Sequence, residues 1–286
     1  SNLQPVAGDN FAFTAQYTTV SWIGDLKSRT IDLSTGIVSK VQLWSAQSVL
    51  DSTDFMSRRI YTLDSADTAG NLLRSWGGPG YVPGWPSSEQ TVATDGDGNV
   101  WVSGTGRGDS LLKFTPDGKL LKDFGHRPAP VPQGQTPQPL VENNQQTDVF
   151  VSGVAGFDFD TAAREVYIAE TEFINKRILV YDMDSGAFKR GWGGHGIPLS
   201  EIDNDPTPDY DISGPPPDQK QFAPALHCVH FSRDGLVYVC ERGSNRIQVF
   251  TKQGKFVTSY FVHPSTPARG IIWRTMSSTL TPGHSA

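Results

Sequence analysis

The sequence predicts an all-β chain built as a β-propeller of four-stranded antiparallel blades, and three observations carry that prediction. The first is a recurring phrase. Thr91-Val-Ala-Thr-Asp-Gly-Asp-Gly-Asn-Val-Trp-Val-Ser103 followed by Asp109-Ser-Leu-Leu-Lys-Phe-Thr-Pro-Asp-Gly-Lys-Leu-Leu-Lys-Asp-Phe-Gly125 returns as Val229-His-Phe-Ser-Arg-Asp-Gly-Leu-Val-Tyr-Val-Cys240 followed by Asn245-Arg-Ile-Gln-Val-Phe-Thr-Lys-Gln-Gly-Lys-Phe-Val-Thr-Ser-Tyr260. The second is the interior of the phrase: four short segments of alternating apolar and polar residues, separated by Asp-Gly or Gln-Gly turns, the signature of hairpin-linked strands. The third is composition. Gly 29 and Pro 20 are high, charged residues are 19%, and no stretch shows the i, i+3, i+4, i+7 pattern of a long amphipathic helix. Repeated four-stranded units mean blades.

In order along the chain, Tyr17-Thr-Thr-Val-Ser-Trp-Ile-Gly-Asp25, an Asp32-Leu-Ser-Thr-Gly36 turn and Lys40-Val-Gln-Leu-Trp44 are strand material. Arg59–Leu63 and Asn71–Trp76 read as the third and outer strands of a blade that closes on Trp76-Gly-Gly. The blade at 88–125 has strands Gln90–Thr94, Asn99–Ser103, Ser110–Phe114 and Leu120–Phe124. The blade at 154–192 runs through Val154–Phe159, Glu165–Glu170, Arg177–Tyr181 and Ala187–Trp192, and a further clear blade occupies 225–261. Counting gives five blades in one domain over 1–286, with four and six open, and Gly270–Thr275 is available to complete a split blade. Two long connections, 127–148 and 193–222, join an outer strand to the next inner strand and are expected over the mouth. Connections beyond about 12 to 15 residues are functional loops or disordered.

The formal charge of -6 and the absence of a Lys/Arg cluster argue against a nucleic-acid partner. No run of about 18 apolar residues exists, so no membrane span is expected, and Ser1-Asn-Leu-Gln-Pro5 is not a signal peptide. Cys228 and Cys240 flank the Arg233-Asp-Gly235 turn, which places them opposite each other on adjacent strands. Two readings stay open: a bridge in an exported protein, or two small buried strand residues.

Residues 72–261 resemble bacterial NHL-type propellers, through Gly98-Asn-Val-Trp-Val102, Leu112-Lys-Phe-Thr-Pro-Asp-Gly-Lys-Leu120, Trp76-Gly-Gly-Pro-Gly80 and Asp182-Met-Asp-Ser-Gly186. The first 62 residues differ. Thr18–Leu26, Ser34-Thr-Gly36, Leu43-Trp-Ser-Ala46 and Arg58-Arg-Ile-Tyr-Thr62 resemble part of the propeller domain of type IV pilus tip adhesins. These resemblances imply a bacterial protein, with a periplasmic or extracellular location open, and a binding or adhesion role.

Chemistry-bearing residues are those that interrupt the repeat. The segment Glu201-Ile-Asp-Asn-Asp-Pro-Thr-Pro-Asp-Tyr-Asp211 sets five carboxylates within eleven residues, and Asp203, Asp205, Asp209 and Asp211 are candidate ligands of a calcium ion, which takes oxygen ligands from flexible loops. The alternative is a solvated acidic loop. Asp95-Gly-Asp-Gly-Asn99 lacks the glycine at position six and the acid at position twelve of a calcium loop and reads as a plain turn. His227 begins an inner strand where Gln90 and about Gly156 stand in the other blades, and is a candidate general base. Period-two alternation points His227 and His230 to opposite faces. Glu170 and Glu241 end equivalent second strands; each either pairs with Arg177 or Arg246 or, for Glu241, enters catalysis. His195 lies beside the acidic segment as a second candidate base.

No Gly-x-Ser-x-Gly, His-Glu-x-x-His, Cys-x-x-Cys or P-loop occurs. Two functions follow. One is a monomeric calcium-dependent hydrolase of a small-molecule ester or lactone, by analogy with the gluconolactonase and paraoxonase propellers, with His227, His195 and Glu241 catalytic. The other is a non-catalytic NHL-type binding or adhesion module.

Overall fold

The computed structural model describes residues 2–6, 10–14, 43–50, 58–66, 72–125, 144–151, 153–170, 175–203, 219–232 and 234–262, with side chains from residue 73 onward. Every regular element among them is a β-strand or a short 3-10 turn. The chain divides into two compact units, Ser1–Arg127 and Pro128–Ala286.

Among the described residues, the first unit holds three sheets. Strands β1 (Asn2–Val6) and β2 (Asn10–Thr14) form a hairpin; β3 (Leu43–Leu50), β4 (Arg58–Ala66) and β5 (Leu72–Trp76) form a three-stranded sheet; and β6 (Glu89–Thr94), β7 (Val100–Gly104), β8 (Leu111–Phe114) and β9 (Leu120–Phe124) form a four-stranded meander. Pairing of β4 with β5 agrees with the expected third and outer strands of a blade, and β3 begins within the expected strand material and runs on to Leu50. The segments 17–25 and 32–36 lie outside the described residues, as does 270–275.

Among the described residues, the second unit holds two meanders of the same kind. These are β10 (Val154–Asp160), β11 (Glu165–Glu170), β12 (Arg177–Asp182) and β13 (Phe188–Trp192), then β14 (Leu226–Phe231), β15 (Leu236–Glu241), β16 (Arg246–Thr251) and β17 (Phe256–Phe261). All pairings are antiparallel between sequence neighbours. The chain is therefore all-β and folds as propeller blades of four antiparallel strands.

Apolar alternation decides how these blades pack. Tyr167, Ala169, Ile178, Val180 and Trp192 from one blade interlock with Phe222, Leu226, Val229, Val237, Val239 and Phe250 from the next, all buried. Burying a side chain of this size contributes about 1.5–3 kcal/mol. Inner strands approach closely: a Cβ on Gly156 of β10 would lie 3.0 Å from the His227 carbonyl oxygen and 3.1 Å from the Cys228 Cα. Outer strands carry the exposed apolar residues, among them Leu121, Phe188, Val257 and Tyr260.

The Trp-Gly-Gly motif has a packing role in both units. Trp76 and Trp192 each end an outer strand and lie on the turn glycine of the following blade. A Cβ on Gly118 would be 2.8 Å from Trp76 Cδ2, and one on Gly254 would be 2.6 Å from Trp192 Cδ2. Both glycines have positive φ, +87° and +82°, so the turn and the tryptophan together admit only glycine. Trp76 Nε1 also donates to the Pro116 carbonyl at 3.1 Å.

Candidate functional site

Each of the three complete blades begins its inner strand with a β-bulge at the same place. The extra residue is Gln90 between Glu89 and Thr91, Ala155 between Val154 and Gly156, and His227 between Leu226 and Cys228. The equivalent of His227 in the middle blade is thus Ala155, one residue before the Gly156 expected from sequence. A bulge sets two residues of one strand against one of its neighbour and re-aims a side chain, which period-two counting does not foresee. His227 is half-buried there, while His230 is buried in the seam between blades, its Nδ1 3.3 Å from Asp158 Oδ2. Asp158 Oδ2 also accepts the Phe231 N–H at 3.0 Å.

Directly after the bulge, Cys228 stands opposite Cys240 with Cα atoms 4.9 Å apart, and the two form a disulfide. The bridge lies beside Ile247 and Val262. Of the two readings the sequence left open, the structure has the bridge.

One step further along β15, Glu241 is fully buried and holds a dense set of bonds. Its Oε1 accepts from Arg246 Nε at 2.7 Å and Gln248 Nε2 at 2.8 Å; its Oε2 accepts from the Ala223 N–H at 2.7 Å and Arg246 Nη2 at 2.8 Å. Arg246 in turn donates to the carbonyls of Gln219 and Gln221 at 2.6 and 2.9 Å. Buried charges require such pairing. Glu241 therefore serves the pairing with Arg246, and its carboxylate is committed to the fold. Glu170 does the same in the preceding blade, accepting from Arg177 Nε at 2.6 Å while Arg177 donates to the carbonyls of Asn144 and Val149. Register makes the two pairs equivalent, since Glu170 faces Arg177 and Glu241 faces Arg246.

In the blade of the first unit the device has reversed polarity. Gly104 replaces the glutamate, and Asp109 accepts from the backbone N–H groups of Ser87, Ser88 and Gly106 at 2.8–3.0 Å. A Cβ on Gly104 would meet Asp109 Oδ2 at 2.5 Å. In every case a buried charge on the second-to-third-strand side grips the backbone that enters the blade.

His195 is placed by the third and outer strands of the last blade rather than by its inner strand. Its ring stacks on Phe256 with centroids 4.1 Å apart, and its N–H donates to Gln248 Oε1 at 2.8 Å. It sits in a 3-10 turn at Gly194–Gly196 with φ +53°, and a second such turn follows at Leu199–Glu201. His195 thus packs on the third and outer strands of the blade, while His227 lies on its inner strand. Asp203 is exposed, and its N–H donates to Gln221 Oε1 at 3.2 Å. Asp205, Asp209 and Asp211 lie outside the described residues. Among the described residues no three His, Cys, Asp or Glu side chains converge on a metal position.

Asp95 is the centre of a closed turn, as its sequence implied. It accepts from the N–H groups of Asp97 and Asn99, from Trp101 Nε1 at 2.9 Å, and lies 3.6 Å from Lys113 Nζ. An ion cluster of Glu165 with Arg190 and Lys189, joined by the Tyr167 hydroxyl, was not among the sequence candidates. The Arg190 guanidinium, above all, holds the Glu165 carboxyl at about 2, against 4.5 for a free glutamate. Burial pushes the hydroxyls of Tyr167 and Tyr181 up.

No family model matches the chain, and no curated protein matches it. Solved structures similar to it include U3-55K at 11% identity, covering 87% of this chain and 53% of that one with a TM-score of 0.49. The RRP9 WD40 repeats match at 11% identity over 87% of this chain and 53% of that one, TM-score 0.48. Virginiamycin B lyase from Staphylococcus aureus matches at 14% identity over 79% and 54%, TM-score 0.46. The chain spans about half the length of each of these chains. At such identity the likeness carries no residue and no activity across. Among the described residues, no helix is long and apolar enough to cross a membrane.

Proposed function

We propose that this chain is a non-catalytic recognition module that holds its long inter-blade connections on rigid blades. The observation that carries this reading is the repeated clamp. Arg177 and Arg246, each fixed by a buried glutamate, grip the last residues of connections 127–148 and 193–222. Binding residues are commonly set on loops positioned by a rigid scaffold. The NHL-like and pilus-tip-like sequence features point the same way, and the Cys228–Cys240 bridge fits an exported, adhesive protein in an oxidising compartment.

A second reading, hydrolysis of a lactone or small ester, draws support from one observation: His227 is a half-buried histidine on a bulge, a device over-represented beside active sites. In that reading His227 is the base and calcium is held by Asp203, Asp205, Asp209 and Asp211.

The two separate in one experiment. The protein is assayed on a panel of lactones and short esters with calcium and with chelator, alongside His227→Ala, and is tested in parallel for binding to immobilised glycans and extracellular-matrix proteins. Saturable binding without turnover is expected. Turnover that disappears with chelator and in His227→Ala overturns the recognition reading.

A further inference from the structure

The outer strand of a blade is a sheet edge, and among the described outer strands β17 differs from the others in two ways. The first is charge. Strand β5 carries Arg74, β9 carries Lys122 and Asp123, and β13 carries Lys189 and Arg190, whereas Phe256-Val-Thr-Ser-Tyr-Phe261 has no charged residue, no proline and no glycine. Charges on an edge keep another strand from adding to it, and a short uncharged run of high β-propensity invites one. The second is the aromatic residue near the strand's end. Register gives Phe124, Trp192 and Tyr260 the same place, opposite Leu111, Ile178 and Ile247 of the third strands. Phe124 and Trp192 are 2% and 3% exposed, while Tyr260 is 57% exposed.

The backbone shows which groups this edge offers. Among the described residues β17 pairs with β16 alone. The Val262 N–H donates to the Asn245 carbonyl at 2.8 Å, one step past the pairing of Arg246 with Phe261. Antiparallel partners alternate between bonded and non-bonded pairs, so Val262 and Tyr260 turn their backbone groups to β16, and Phe261 and Ser259 turn theirs to the open side. A register shift opposite Val249 and Phe250 interrupts the ladder at Val257, which leaves Thr258 to Val262 as the regular edge.

We infer that this edge joins a second copy of the chain, β17 to β17, antiparallel about a two-fold axis at Tyr260. Ser259 of each copy then stands opposite Phe261 of the other and exchanges both backbone bonds with it. Tyr260 meets its own counterpart at a non-hydrogen-bonded position, where side chains come closest, and Thr258 faces Val262. The absence of charge favours a copy as the occupant. Two-fold pairing sets each residue against a symmetry mate, so like charges on the strand would be brought together, as Lys189 and Arg190 of β13 would be, and β17 has none. Each copy has one such edge among its described outer strands, so the assembly closes as a dimer. A strand pair this short covers less than the about 1,200 Å² of a standard interface, which makes the dimer a weak one. It holds whether the chain recognises a ligand or hydrolyses one.

Analytical ultracentrifugation of the whole chain from about 1 to 100 μM tests it, the range in which a weak dimer dissociates. A monomer–dimer equilibrium is expected. Ser259→Pro removes an N–H on the open side without touching the ladder to β16, and Tyr260→Lys sets two cations against each other across the axis. Each should raise the dissociation constant at least about tenfold with the thermal midpoint unchanged. Tyr260→Cys puts two cysteines about 4.5 Å apart at Cα, within reach of a disulfide, so it should link the copies under mild oxidation. Leu121→Cys, also exposed but on β9, should not. If Ser259→Pro lowers the midpoint, the two Tyr260 variants decide. A chain that stays monomeric across the range overturns the proposal and leaves the edge to a foreign strand. A dimer that survives both Ser259→Pro and Tyr260→Lys overturns it as well, as do open-ended oligomers. A failed binding screen refutes the recognition reading and leaves this equilibrium as it is.

Discussion

Replacing Arg246 with alanine isolates the clamp. It leaves Glu241, fully buried, without its guanidinium partner, and leaves the carbonyls of Gln219 and Gln221 without their donor. Removing one member of a buried ion pair typically costs about 3–5 kcal/mol. Two features of the site move the value within that range. Gln248 Nε2, the Ala223 N–H and the Ser244 hydroxyl still donate to Glu241, which favours the lower end. Two orphaned carbonyls add about 1 kcal/mol each where water does not reach them. The expected loss is about 4 kcal/mol, read as a shift of the urea midpoint at constant slope. In the double variant Arg246→Ala/Glu241→Gln no buried charge is stranded, so about 1–2 kcal/mol returns. A loss below about 1 kcal/mol for Arg246→Ala refutes the reasoning, since that is the size of an exposed pair. Glu241→Gln alone strands the buried Arg246 cation, so it too is expected to lower stability by about 3–5 kcal/mol.

Two further outcomes follow from the geometry. Gly194→Ala places a methyl against the backbone of Lys220 and Phe222, which cannot turn aside, so a loss of more than about 2 kcal/mol is expected in thermal or urea unfolding; an unchanged midpoint contradicts the close approach. Glu165, held at about 2 in the folded chain against 4.5 when free, contributes stability that is complete above 4.5 and is lost as pH falls from there toward 2. A shift of this size corresponds to about 3 kcal/mol at most; Arg190 and Lys189 are partly exposed, so screening leaves about 1–3 kcal/mol. Glu165→Gln should flatten the stability profile between pH 2 and 4.5, and an unaltered acid limb counts against the ion cluster.

The blades were legible because their information is local. Alternation within Val100–Ser103 or Val237–Cys240, and Asp-Gly or Gln-Gly between strands, act over a few residues and need no partner far along the chain. That Cys228 faces Cys240 and Glu241 faces Arg246 was legible for the same reason, both being cross-strand neighbours within one meander, while the bond between the cysteines was left open. What the pairs grip was not. That Arg246 reaches Gln219 and Gln221, that Gly194 lies against Lys220, and that His195 stacks on Phe256 depend on how a connection folds back over a blade. Glu165 with Arg190 brings together two residues 25 apart in sequence that no spacing rule links.

The sequence by itself determined the kind of chain this is, an all-β protein of four-stranded blades, because strand period and turn chemistry are properties of neighbouring residues. Only the tertiary structure decided the roles of the residues that interrupt the pattern. A bulge shifts the phase of a strand by one residue, which put His227 at the bulge and made Ala155 its counterpart. A buried carboxylate must find its donors wherever the fold brings them, which committed Glu241 to holding a connection in place.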